Sequence, residues 1–177
     1  VELLTLDLAR SIGWTCGPLT DPAFLYGTAK LKAPIDLGLY FREYELWLND
    51  KCDTNGVAYI VFEAPVLPKF TRIETLRQLY ALCGITELIA SKRGILCREA
   101  AISKIRKFLC HDGRATKDDV WKAVRLYGYK PSTLDESDAI ALRLYVVGRE
   151  HVASLKAFRG LELGPLSTAA DKSGTVL

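Results

Sequence analysis

The sequence predicts an α/β fold whose central sheet is mixed, a three-stranded antiparallel meander followed by parallel strands, with helices flanking it. Three observations carry this expectation: period-two alternation at the start of the chain, helical spacing directly after it, and a continuous apolar run over residues 57–65. With 177 residues, 49% of them apolar, the chain has enough material for one well-filled core. We expect one domain over residues 1–160 and a loosely held tail, rich in Gly, Ser, Thr and Ala, over 161–177.

In "ELLTLDL", residues 2–8, Leu4, Leu6 and Leu8 share one face while Leu3, Thr5 and Asp7 share the other, the pattern of a half-buried strand. After the turn "ARS", Ile12, Trp14 and Cys16 alternate up to Gly17-Pro18 as a hairpin partner, and "AFLYGTAKL", residues 23–31, reads as a third strand. From Asp36 to Asn49 the spacing of Leu37, Tyr40, Phe41, Tyr44, Trp47 and Leu48 becomes helical. "VAYIVFEAP", residues 57–65, has the uninterrupted apolar character of a strand covered on both faces.

A long helix is expected over 72–91. Its interior Gly84 costs about 1 kcal/mol relative to Ala, which suggests a close backbone contact there. "GILCRE" reads as a short strand, followed by helices around 101–109 and 116–127 that are joined through the Asp112-Gly113 turn. A last helix is expected from Asp135 to about residue 156.

Five cysteines at wide spacing, with no C-x-x-C, read as reduced and mostly buried thiols. No apolar run reaches the length of a membrane span and no basic-then-apolar leader opens the chain. The expected setting is therefore soluble and intracellular, cytoplasmic or nucleoid-associated, without a membrane partner.

Four acids occupy positions where an acid is locally awkward: Asp7 within a strand, Glu63 at the end of an apolar strand, and Asp135 with Asp138 at a helix start. Each has an ordinary explanation. "TLDE", residues 133–136, matches a capping box with Thr133 as the cap and Glu136 reaching back, acids suit a first helical turn, and Glu63 precedes a Pro-containing loop. Asp7 is harder to dismiss, because an unpaired carboxylate in a core strand is costly. Taken together, the four suggest a cage for Mg²⁺, a hard cation that prefers oxygen ligands. Two such ions about 3.5 to 4 Å apart can clamp a phosphodiester in hydrolysis.

Between Arg98 and Lys130 nine bases face four acids, a net of +5 against +3 for the whole chain. A cluster of this kind is the electrostatic footprint of a phosphate-backbone partner. Lys104, Arg106, Lys107, Arg114 and Lys117 are the candidate DNA contacts there, with Lys69 as a further contact and Phe70 beside it as the candidate base-stacking residue.

The order strand-Asp, strand-Glu, helix-DxxD resembles the RNase H-like superfamily, and more closely the RuvC-type Holliday junction resolvases of the phage-like branch, over residues 2–150. "LTLDLARSIGW" is similar to the family's opening strand and turn with Asp7 as its first acid; "YIVFEAPV" places Glu63 as the second; "DESDAIAL" resembles the closing motif and assigns Asp135 and Asp138. "IRKFLCHDGRATKDDV" resembles the basic stretch and carries Arg106 and Lys117 onto DNA-contacting positions. The chain departs from the pattern at Ala9 and His111, where the family has Gly, and at Val66, where bacterial members carry an aromatic wedge.

The resemblance implies a homodimeric endonuclease that resolves four-way or otherwise branched DNA by paired nicks. Asp7, Glu63, Asp135 and Asp138 would serve as ligands of two Mg²⁺ ions, for which Mn²⁺ can substitute, and Lys117 would join them as a catalytic residue. Helix 72–91 is the expected dimer element. Other readings of the same residues are a hydrolase of RNA–DNA hybrids, a sugar-kinase or actin-like phosphate-binding domain, and a DNA-binding scaffold without activity. The short chain without a Gly-rich second phosphate loop argues against the kinase-like domain.

Overall fold

The computed structural model describes residues 1–31, 36–66 and 72–162; side chains are described only to Arg149. The chain divides into two units, residues 1–147 and 148–177. In the first, strands β1 (Glu2–Asp7), β2 (Ile12–Pro18) and β3 (Leu25–Ala29) are followed by α1 (Leu37–Asn55), β4 (Tyr59–Glu63), α2 (Ile73–Arg93) and β5 (Leu96–Ala100). Helices α3 (Ile102–Cys110) and α4 (Lys117–Leu126) come next, and α5 (Leu134–Glu162) runs from the first unit into the second.

The five strands form one sheet in the order β3-β2-β1-β4-β5. The meander is antiparallel, whereas β1 with β4 and β4 with β5 are parallel. Asp36 caps α1, its side chain accepting from the Gly38 N–H at 2.7 Å, and Gly56 closes that helix in the left-handed conformation.

Both faces of the sheet are covered. Leu4, Leu6, Leu8, Ile60 and Phe62 pack with Tyr40, Tyr44, Leu48, Leu82 and Ile89 of α1 and α2. On the other face, Leu3, Tyr59 and Val61 pack with Ile105, Val120, Val124, Ile140 and Leu142 of α3, α4 and α5. The half-buried reading of β1 is thus corrected: Leu3, Thr5 and Asp7 are buried as fully as their alternates, because α5 covers the face that the polar residues had marked as solvent-facing.

Helix α5 lies along β1 in steps that match. Four helical residues rise about 6 Å and two strand residues advance about 6.6 Å, so residues at i, i+4 and i+8 meet successive alternate rows of the sheet. The carbonyl of Asp135 rests against Gly13, the cross-strand partner of Asp7; a Cβ built on Gly13 would lie 1.9 Å from that oxygen. One step on, the Thr5 hydroxyl, 2.6 Å from that of Thr15, donates to the Ala139 carbonyl at 2.9 Å. One step further, Arg143 donates to the Leu3 carbonyl at 3.2 Å and to that of Pro18, with its guanidinium 4.4 Å from the Phe24 ring centre. Arg143 is 1% exposed, so its charge is satisfied by backbone carbonyls and an aromatic face.

Two glycine-related observations refine the sequence reading. A Cβ placed on Gly84 would have nothing within 4 Å, so the close contact expected at this helix position is not made within the described chain. His111, which stands where the resembled family has Gly, caps α3 at φ 62°, the left-handed conformation that glycine adopts without strain.

The seat of α5 gives a direct test. Gly13→Ala forces a methyl into the Asp135 carbonyl, and the expected loss of stability is roughly 1–3 kcal/mol, the usual range for overpacking. An unchanged urea midpoint for this variant would show that α5 does not sit on β2.

Candidate acid site

Period-two alternation places Asp7 at the end of β1 and Glu63 at the end of the parallel neighbour β4 on the face that α5 covers. Both lie at the carboxyl ends of parallel strands, where open α/β sheets carry their ligand sites. The start of α5 supplies Asp135 in its first turn and Asp138 just beyond it, three residues apart and therefore on one helical flank. Lys117, the first residue of α4, sets its Nζ 2.7 Å from Asp138 Oδ2.

The acids strain one another. Burial first, and then the charges of Asp138 and Asp135, push the Asp7 carboxyl up to about 7, with Lys117 opposing. Glu63 is driven well above the usual carboxylate range by burial and then by Asp7 and Asp138. Asp138 is raised by burial in spite of its bond to Lys117. Burial pulls the Lys117 ammonium down, but Asp138, Asp7 and Asp135 outweigh it and leave the group above its ordinary value. Two buried carboxylates and a half-buried third thus share one close cation, with Arg106 a weaker second influence on Glu63 and Asp138. Asp7 Oδ2 is buried and has no hydrogen-bond partner.

An orphaned carboxylate oxygen among other oxygen donors is what a hard cation would satisfy, so the donor set fits Mg²⁺ or Mn²⁺ rather than a thiolate-seeking metal. The cage expected from the sequence is not closed, however. Among the described residues no three Asp, Glu, His or Cys side chains converge closely enough to enclose a metal ion. Desolvated like charges repel, and Lys117 is the cation that Asp138 holds.

Asp7, Asp138 and Lys117 lie close enough to act on one another, Asp135 acts on all three, and Glu63 feels Asp7, Asp138, Lys117 and Arg106. Lys104, Lys107 and Arg114 stand exposed on α3 and the loop after it. Lys69 and Phe70 lie outside the described residues, and Val66 is exposed. Phe108 packs edge-on against Tyr145, and Tyr129 packs against Phe24 and Tyr26, so those aromatics are occupied. A cavity of about 410 Å³, lined among others by Leu8, Arg10, Tyr40 and Gln78, opens on the opposite face of the sheet and contains none of the acids.

Two features escaped the sequence reading. Arg143 anchors α5 to the sheet about two turns beyond the acids, and its signal was a charge inside the buried run "AIALRLY". Glu136 reaches back one residue further than a capping box requires: its Oε2 accepts the Ser132 N–H at 2.6 Å, while Thr133 Oγ1 accepts the Glu136 N–H at 3.1 Å.

The raised Asp7 carboxyl has a consequence for stability. Its folded value of about 7 exceeds the unfolded 3.8, so the folded state holds the proton more tightly, and the metal-free protein loses stability as pH rises between those values. In EDTA, Asp7→Asn is expected to melt above the parent at pH 8, with the difference shrinking toward pH 4. A variant that melts below the parent at pH 8 would contradict the unfavourable burial of Asp7.

No protein-family model and no curated protein matches the chain. Solved structures do. The RuvC structure from Thermus thermophilus aligns with a TM-score of 0.66 at 15% identity, covering 85% of this chain and 97% of that one. T. thermophilus RuvC in complex with Holliday junction substrate aligns at 0.69 with 16% identity, covering 81% and 91%. The yeast mitochondrial Holliday junction resolvase Ydc2 aligns at 0.66 with 11% identity, covering 90% and 82%. A mixed five-stranded sheet in this order, covered on both faces and matched over most of its length by these structures, gives the chain the RNase H-like fold that they share.

Proposed function

We propose that the protein is a Mg²⁺-dependent endonuclease that resolves four-way DNA junctions by paired phosphodiester hydrolysis. The observation that supports the reading is the set of desolvated acids: Asp7 and Glu63 stand at the carboxyl ends of β1 and β4, Asp138 on α5 raises the proton affinity of both, and Asp7 Oδ2 is unsatisfied. Burying this much negative charge opposes folding and has no packing rationale, whereas it suits divalent cations.

Asp7, Glu63, Asp138 and Asp135 would hold the metal, which when bound supplies a nucleophile at neutral pH and neutralises charge on the phosphate. The chain's own groups do the remaining work. Lys117 balances Asp138 and, half-exposed, can turn its ammonium to a phosphate oxygen. Arg106 adds a second positive field beside Glu63. Exposed Lys104, Lys107 and Arg114 extend the basic surface along which a DNA backbone would lie, so affinity should fall steeply with salt.

Paired nicks call for two copies of the site. On α2, Ile73, Tyr80 and Leu88 are 67%, 49% and 52% exposed, and Gly84 stands open between the last two. Antiparallel pairing of two copies about Gly84 would place Tyr80 of each against Leu88 of the other, a self-complementary contact of the kind a two-fold dimer needs. The same pairing would explain why a helix-weakening glycine is placed there.

Two measurements test this. Wild-type protein should cut a labelled four-way junction with Mg²⁺ and leave linear duplex and RNA–DNA hybrid intact, and Asp7→Asn should lose at least a hundredfold in rate. Equal cutting by both proteins would exclude the acid site, and cutting of the hybrid alone would replace junction resolution with hybrid hydrolysis. In sedimentation, the parent should run as a dimer and Leu88→Asp as a monomer; a monomeric parent would remove α2 as the interface.

A further inference from the structure

The three acids of "DESD" do not do the same work. Along a helix Glu136 lies about 100° from Asp135 and about 160° from Asp138, which turns it to the other flank. It is not among the charges that raise Asp7, Glu63 or Asp138, yet it is only 8% exposed.

Its bonds form a closed circuit. The Glu136 N–H donates to Thr133 Oγ1 at 3.1 Å, and the Thr28 hydroxyl donates to Glu136 Oε1 at 3.2 Å. Thr28 has one hydroxyl proton and has given it to the carboxylate. The 2.7 Å contact between Thr133 and Thr28 must therefore run from the Thr133 hydroxyl to Thr28 Oγ1. The circuit begins and ends on Glu136, and the second carboxylate oxygen is taken up by the Ser132 N–H at 2.6 Å.

Thr28 sits on the edge strand β3, which brings no acid to the site. In register it pairs with Gly13, and Gly13 pairs with Asp7. One transverse row of the sheet thus runs Asp7, Gly13, Thr28. The first turn of α5 lies across it, with Asp135 resting on Gly13 and Glu136 bonded to Thr28.

We infer that Glu136 is a positioning residue: through Thr28 and Thr133 it clamps the first turn of α5 to β3, and so fixes Asp135 and Asp138 relative to Asp7 for metal binding. This rests on the metal-dependent reading above. Groups that orient metal ligands change affinity tenfold to a hundredfold when removed, so the clamp should appear in metal affinity before it appears in DNA affinity.

The test compares Glu136→Ala, Glu136→Gln, Thr28→Val and Asp7→Asn. Mn²⁺ binding to the free protein is measured by electron paramagnetic resonance, junction binding in EDTA by gel shift, and cutting as a function of Mg²⁺. Glu136→Ala and Thr28→Val should each weaken Mn²⁺ binding about tenfold and raise the Mg²⁺ needed for half-maximal cutting by a similar factor. Junction binding in EDTA should stay unchanged. Glu136→Gln should return close to the parent, because the amide can accept from Ser132 and donate to Thr28 with the circuit reversed. Thr28→Val keeps the side-chain shape and serves if Glu136→Ala does not fold. Unaltered Mn²⁺ affinity in Thr28→Val, alongside its loss in Asp7→Asn, would overturn the clamp and leave the metal site standing. Unaltered Mn²⁺ affinity in Asp7→Asn would instead overturn the metal reading itself.

Discussion

Everything at the acid site depends on how closely the backbone of α5 approaches β2. The Asp135 carbonyl lies where a side chain on residue 13 would be, so helix and sheet meet there at a distance only glycine permits. From that contact the matched steps of helix and strand carry Ala139 to Thr5 and Arg143 to Leu3, and each step ends in a hydrogen bond. A helix held at three heights along the β1–β2 pair cannot slide by a residue without breaking all three. This is why Asp138 arrives beside Asp7 although more than 130 residues separate them in the chain.

The electrostatics run against the packing. A core strand normally ends in a residue that gains from burial, whereas Asp7 and Glu63 are both pushed toward protonation by it. The surrounding framework has to supply the stability that these groups take away. The apolar clusters on both faces of the sheet and the satisfied Arg143 belong to that framework, and the site is tolerated because they are well built.

Most of the fold was legible in the sequence, because period and punctuation are local properties. Each of the ten elements fell where alternation, helical spacing or a Gly-Pro break placed it, with ends shifted by a few residues, α1 and α5 by six. What could not be read was which element covers which. Thr5 and Asp7 looked like a solvent-facing flank because polar residues mark such a flank, and only the docking of α5, decided by residues far along the chain, makes them interior. The acid positions were legible for a related reason: an acid out of keeping with its local element is a local signal. A closed cage was expected from those positions and is not formed among the described residues, since closure depends on side-chain charge balance and on Lys117 as much as on position. Glu136 was readable only as a cap, because its second partner, Thr28, is 108 residues away.

Lys117 shows how far local preference has been set aside. It opens α4, where the helix macrodipole is positive and a cation is disfavoured; the capping box of Thr116 and Asp119 and the acid Asp118 meet the needs of that turn. Helix stability alone would therefore put an acid or a proline at residue 117 rather than a lysine. What holds the lysine there is Asp138, which is buried and needs a positive partner more than the helix start needs a negative one. The ammonium is half-exposed and on a flexible stem, so it can satisfy the carboxylate or reach outward without any change in the backbone that carries it. A guanidinium in the same place would be fixed by its planar fork. At the edge of the proposed site, where charge would be exchanged among an acid, a phosphate and a cation, a movable point charge suits the position better than a fixed fork.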